Sequence, residues 1–180
     1  MTSKTLLLNH IESQTIPLKI TLITILTLLS YSLKLYLPFT PVPVTGQVFF
    51  ALISGILLGP YYGAMSQIMA IGLALSSGPL FGFSILSVTH LVGPTGGYII
   101  AFPISAFLTG QLLEIHQTDW MKYLAPILAL LVIYTLGAYH LTNILGISFN
   151  KAIVLGIIPF IPADIVKVSL IIMIMKGMRI

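Results

Sequence analysis

The chain is expected to fold as an all-α membrane protein: a bundle of six transmembrane helices with a re-entrant or lid-like segment between the third and fourth. Three observations lead there. Hydrophobic residues fill 57% of the 180 positions and charged residues only 7%, against about 25% charge in a soluble domain. Mean hydropathy is +1.08. Apolar runs alternate with clusters of proline and glycine, which stop or turn helices, so the hydrophobicity is divided into separate spans.

Residues 1–16 carry Lys4, His10 and Glu12 and lack a small-residue cleavage pattern after an apolar stretch, so no cleavable signal peptide is expected. They are read as a cytoplasmic tail or a short amphipathic segment at the interface, within a single domain covering 1–180. The first span runs from about Leu18 to Leu37 and is closed by Pro38. Phe39 to Gln47 contains Pro41 and Pro43 and forms a stiff extended connection. Two short runs, about Val48–Leu58 and Tyr61–Leu75, are separated by Gly59-Pro60 and are expected to make a tight hairpin. Gly55, Gly59 and Gly63, like Ala70 and Ala74, recur every four residues, a spacing that lets helix backbones approach closely in lipid.

From Ser76 to Gly97 the chain has too many breakers for an ordinary span and too few charges for a solvated loop. It is read as a lid or re-entrant element over a cavity. The fourth span covers about Tyr98–Leu113 and ends in the aqueous loop Glu114–Asp119. Trp120, Lys122 and Tyr123 then act as interfacial anchors. The fifth span covers about Leu124–Leu145, with Tyr134 and His140 inside it, and the sixth about Ala152–Met175. Placing both termini in the cytoplasm puts Lys4, Lys19, Lys122, Lys176 and Arg179 inside and leaves Lys34 and Lys151 outside, as the positive-inside rule prefers.

Composition also excludes functions. There is no cysteine, hence no disulfide or thiolate metal site. The four histidines lack helical metal spacing, which argues against a metal centre. The net charge of +4 comes from basic residues scattered singly around apolar runs, so it signals topology and not nucleic-acid binding. Gly93-Pro94-Thr95-Gly96-Gly97 lacks the lysine of a phosphate loop, so no ATP hydrolysis is expected. Ser105 and Ser169 have no base nearby in sequence; an intramembrane enzyme would need Asp164 paired with His90 or His140.

The most informative stretch is Pro159-Phe160-Ile161-Pro162-Ala163-Asp164-Ile165-Val166-Lys167. Three helical residues turn about 300°, so Asp164 and Lys167 share a face. Each intramembrane charge costs roughly 2.5–3.5 kcal/mol on insertion scales and so needs a reason. One reading is a self-neutralising pair or a lysine that snorkels to the interface. The other is the polar floor of a ligand pocket, with Lys167 holding an anionic group and Asp164 accepting from N–H donors. Pro159 and Pro162 favour the second, because a broken helix at membrane depth is tolerated where it lines a cavity. A selective pocket in an apolar bundle suits solute capture or a proton-coupled carrier better than catalysis.

Pro41-Val42-Pro43-Val44-Thr45-Gly46-Gln47, Gly93-Pro94-Thr95-Gly96-Gly97-Tyr98 and the Pro159–Lys167 stretch, in this order and spacing, resemble the BioY family of biotin-binding S components of energy-coupling factor (ECF) transporters. The likeness spans nearly the whole chain from the first span onward. It implies a six-helix bundle in a bacterial cytoplasmic membrane that captures biotin, has no enzymatic activity and no cofactor of its own, and works with a coupling transmembrane subunit and two ATP-binding-cassette ATPases; homo-oligomerisation is left open. It implies Asp164 and Lys167 as substrate-binding residues, with Thr45, Gln47, Phe81 and Tyr98 as pocket or lid residues. Departures are Ala163 where the family usually has Gly, no Ala-x-x-x-Ala docking motif in the first span, and a segment from Gly82 to His90 poorer in glycine than the family pattern.

Overall fold

The computed structural model describes the backbone of residues 3–32, 34–81, 85–116 and 118–178, and the side chains of 15–32, 34–77, 85–116 and 118–178. Its helices are α1 (Ser3–Ser32), α2 (Gln47–Phe81), α3 (Val88–Val92), α4 (Gly96–Ile115), α5 (Met121–Leu145), α6 (Phe149–Gly156) and α7 (Ile161–Met178), with strands β1 (Lys34–Leu35) and β2 (Val44–Thr45) between α1 and α2. Among the described residues, five stretches are long and apolar enough to cross a bilayer: Thr15–Ser32, Gln47–Ser77, Gly96–Ile115, Met121–Leu145 and the interrupted Phe149–Met178.

The helices are apolar outside and partly polar inside. Helix α1 exposes Leu18, Leu22, Ile25 and Leu29 and buries Thr24, Thr27 and Ser30. The hydroxyls of Thr24, Thr27 and Ser30 need no water, because each donates to a carbonyl, as Thr27 does to Ile23 O at 2.8 Å. Ser54 and Thr109 do the same to Ala51 O and Ser105 O, each at 2.7 Å. That is the pattern expected where hydrocarbon is the solvent.

Helix α2 reverses at Gly59, whose φ of 75° and ψ of −179° lie outside the helical region. A side chain would be strained there, and Pro60 supplies no N–H to continue the ladder. Eight helical residues span about 12 Å, yet a Cβ added at Gly63 would lie 2.8 Å from the Gly55 Cα. The two arms therefore fold back on each other, and Gln67 on the second arm donates to Phe50 O on the first at 3.4 Å. Helix α4 crosses the same place: Gly55 packs on the Ala106 carbonyl, and Gly110 on Gly59 and Pro60. The four-residue glycine spacing thus serves internal packing.

Several boundaries differ from expectation. Helix α1 begins at Ser3 and passes through Pro17, so residues 3–16 are not a separate tail; the side chains of 3–14, on which an amphipathic reading depends, lie outside the described residues. It ends at Ser32 and not near Leu37. Lys34 pairs with Thr45 and Leu35 with Val44 in an antiparallel ribbon, so the proline-rich connection is a hairpin turn. β-Branched Val44 and Thr45 favour the strand, and the prolines sit in the turn, where no ladder donor is needed. Thr40 ties that turn to α6 by donating to Leu155 O at 2.6 Å.

Helix α2 also runs on to Phe81, through the region expected to break at Ser76. The chain then returns against it: Ile85 N–H donates to Ser77 Oγ at 2.7 Å and Leu86 N–H to Ala74 O at 3.2 Å. Gly82 to Ser84, part of the glycine-poor departure, lie outside the described residues. Helices α4 and α5 are antiparallel, with Gly97 against Leu136 and His140 and Ser105 donating to Ala129 O at 3.0 Å. The last span is interrupted as its prolines require, by a 3₁₀ turn at Ile158–Phe160 between α6 and α7.

Gly55→Leu is expected to destabilise the fold by about 1–3 kcal/mol, the range for overpacking, because its side chain meets the Ala106 carbonyl. Gly177→Leu, where nothing lies within 4 Å, is expected to be near neutral. Thermal unfolding in detergent checks both, and equal melting temperatures would refute the close crossing of α2 and α4.

Candidate functional site

Interrupting the last span places α7's first turn inside the bundle, and that turn carries Asp164. A carboxylate is favoured there by the helix dipole, yet this one is only 1% exposed and needs partners. It has two. Lys167 Nζ donates to Oδ1 at 2.6 Å, and the Tyr134 hydroxyl, reaching in from α5, donates to Oδ2 at 2.7 Å. Lys167 is itself largely buried, with 16% of its side chain exposed.

Beside this cluster lies a cavity that is open to its surroundings, with about 590 Å³ of space free of atoms when the open part is counted. Asp164, Lys167 and Tyr134 line it. Phe102, Tyr98 and Ile99 from α4, Ile133 from α5 and Phe160 from the 3₁₀ turn make an apolar wall. Val42, Pro43, Thr45 and Lys34 from the β1–β2 hairpin and His90 from α3 complete the lining. The site is therefore amphiphilic, a mostly apolar wall that carries a few charged and polar groups.

Of the six residues expected from the sequence, Asp164, Lys167, Thr45, Gln47 and Tyr98 all line this cavity. The side chain of Phe81, at the end of α2, lies outside the described residues. Gln47 starts α2 and is 6% exposed; among the described residues its side-chain amide has no hydrogen-bond partner, while its N–H donates to Thr45 Oγ1 at 3.4 Å. An unpartnered amide on a cavity wall is suited to a ligand. Tyr98 is different. Its hydroxyl donates to Gly156 O at 2.8 Å and its ring packs on Gly137 and edge-on against Phe160, so it offers a wall and not a free hydroxyl.

Tyr134, Lys34 and His90 were not anticipated as pocket residues. A phenol in the middle of an apolar span was the available signal for Tyr134. Nothing in the sequence connects Lys34 with His90, 56 positions away. The acid–base pair that catalysis would need is not formed: Asp164 is bound by Lys167 and Tyr134, His90 approaches Lys34, and His140 Nε2 contacts Gly93 O at 3.0 Å. Ser105 Oγ is buried against Ala129 O, and Ser169 faces outward. Among the described residues neither serine therefore has a base beside it.

Known proteins share this architecture. The sequence profile of the BioY family matches residues 3–180. A protein of Pyrococcus horikoshii named "Probable biotin transporter BioY" is 45% identical over 130 residues, covering 72% of this chain and 75% of its own length. The "Biotin transporter BioY" of Thermotoga maritima is 37% identical over 132 residues, covering 73% and 77%. A crystal structure of the S-component for biotin from an ECF-type ABC transporter superposes with a TM-score of 0.78 at 25% identity, covering 99% of this chain and 94% of that one. With a family match across essentially its whole length and a relative at 45% identity, this chain belongs to the BioY family.

Proposed function

We propose that this protein captures biotin and serves as the substrate-specific subunit of an ECF-type transporter in the cytoplasmic membrane. The observation that carries the reading is the Asp164–Lys167–Tyr134 cluster in the lining of a mostly apolar cavity. Biotin is a compact apolar bicycle with a hydrogen-bonding ureido group at one end and a carboxylate at the other, and the lining combines an apolar wall with charged and hydrogen-bonding groups. The family and the biotin S-component neighbour support the same assignment.

The finer picture belongs to the same proposal. The two arms of α2 count as separate crossings, giving six, with both termini cytoplasmic as the lysine distribution favours. The cavity then opens to the outside, and the segment from Ile85 to Thr95 lies over it as a lid. Asp164, Lys167, Tyr134 and Gln47 contact the ligand's polar groups, Thr45 and Tyr98 shape the wall, and Phe81, whose side chain lies outside the described residues, keeps its assignment as a pocket or lid residue. The chain needs no cofactor; a coupling membrane subunit and two ATP-binding-cassette ATPases supply the energy.

Isothermal titration of the purified protein in detergent is expected to show saturable biotin binding; a folded protein that binds none would end the proposal. Lys167→Ala is expected to weaken binding by about 2–5 kcal/mol, the usual effect of truncating one member of a buried hydrogen-bonded charge pair. Tyr134→Phe removes one bond to a charged acceptor and is expected to weaken it by about 1.5–3 kcal/mol, with helical circular dichroism unchanged. Uptake into vesicles that depends on a pH gradient and not on the ATPases would point to a self-contained carrier instead.

A further inference from the structure

The run Gly93-Pro94-Thr95-Gly96-Gly97 joins α3 to α4 and carries no charged residue. His140, reaching across from α5, is seated against it. Its Nε2 lies 3.0 Å from Gly93 O; a carbonyl can only accept, so Nε2 carries the hydrogen. The same carbonyl accepts the Gly96 N–H at 3.0 Å, which engages both of its lone pairs. The glycines make room for the ring. A Cβ added at Gly96 would lie 2.9 Å from His140 Nε2, and one at Gly97 would collide with the His140 Cβ. His140 itself is not among the residues that line the cavity.

Two residues beside this seat, His90 and Thr95, do line the cavity, and they are tied to each other, with Thr95 Oγ1 donating to His90 O at 2.8 Å. Helix α3 has no buried residue, so its place is set largely at its ends. One end is fixed on α2, where Ile85 N–H donates to Ser77 Oγ at 2.7 Å and Leu86 is buried. The other end is Gly93. His90 also approaches Lys34, with Nζ and Nε2 3.4 Å apart, but Lys34 stands on a two-residue strand, a lighter support than the 25-residue α5. Resting on the biotin reading, we infer that His140 is a positioning residue for ligand binding: its Nε2–H holds the Gly93 carbonyl, and thereby keeps His90 and Thr95 in place, without lining the cavity itself. Loss of the tie lets the segment populate other arrangements, and affinity falls by the fraction that remains competent to bind.

His140→Ala and His140→Gln separate this role from general packing, because glutamine keeps an N–H donor at a reach similar to that of Nε2. Titration of the purified protein with biotin is expected to show affinity about tenfold weaker in His140→Ala and within about threefold of wild type in His140→Gln. Hydrogen exchange measured without ligand is expected to quicken about tenfold over residues 87–97 in His140→Ala. It should stay near the wild-type rate there in His140→Gln, and be unchanged in α7 in both variants. Wild-type affinity in His140→Ala, or a glutamine variant as weak as the alanine one, overturns the role. So does exchange that quickens in α7 as well, the mark of a side chain that only packs. Should the wild type bind no biotin, the biotin reading falls and the exchange data alone decide: residues 87–97 exchanging at the wild-type rate in His140→Ala would show that His140 positions nothing.

Discussion

The Asp164 carboxylate, shared between Lys167 and Tyr134, is the interaction on which the rest of the site depends. Removing an ion from water costs several kcal/mol even after relaxation, and no solvent is at hand in the middle of an apolar bundle to refund it. Two charge-assisted hydrogen bonds, from two different helices, offset that cost. The Tyr134 bond also fixes α5 against α7. The same bonds that let the charge exist therefore set the shape of the cavity end beside it.

Holding that geometry requires helices to pack closely without a hydrophobic driving force between them. The chain achieves this with small residues at crossings and hydroxyls turned back on their own carbonyls. Gly55 lies on Ala106, Gly110 on Gly59 and Pro60, and Gly137 under the Tyr98 ring. Each contact brings backbones to a distance that a larger side chain would forbid. Tyr98 joins two of these regions, since its ring rests on α5 while its hydroxyl bonds to the last carbonyl of α6. Its place in the pocket is thus a consequence of its structural work.

What the sequence revealed, and what it hid, follows from the range of the interactions. Asp164 and Lys167 are three residues apart on one helix, so their pairing follows from helical geometry alone. The reversal at Gly59-Pro60 is equally local, because a glycine followed by a proline is a statement about two adjacent backbone units. The Tyr134 bond to Asp164 joins residues 30 apart, and the Lys34–His90 approach joins residues 56 apart; neither has a periodic signature. The β1–β2 pairing was hidden for another reason: two-residue strands flanking prolines look the same as any extended connection.

The cavity lining rests on two kinds of support. Asp164, Lys167 and Tyr134 are carried by α5 and α7, long helices locked by the Asp164 bonds and by Ile133 and Ile171, both fully buried. Lys34 and His90 are carried by a two-residue ribbon and by α3, a five-residue helix with no buried residue. Local opening free energies fall where buried apolar contacts are few, so the hairpin and α3 can part while the α5–α7 side keeps its form. Asp164 and Lys167 neutralise each other, so the charge on that side is balanced whether or not the cavity is filled.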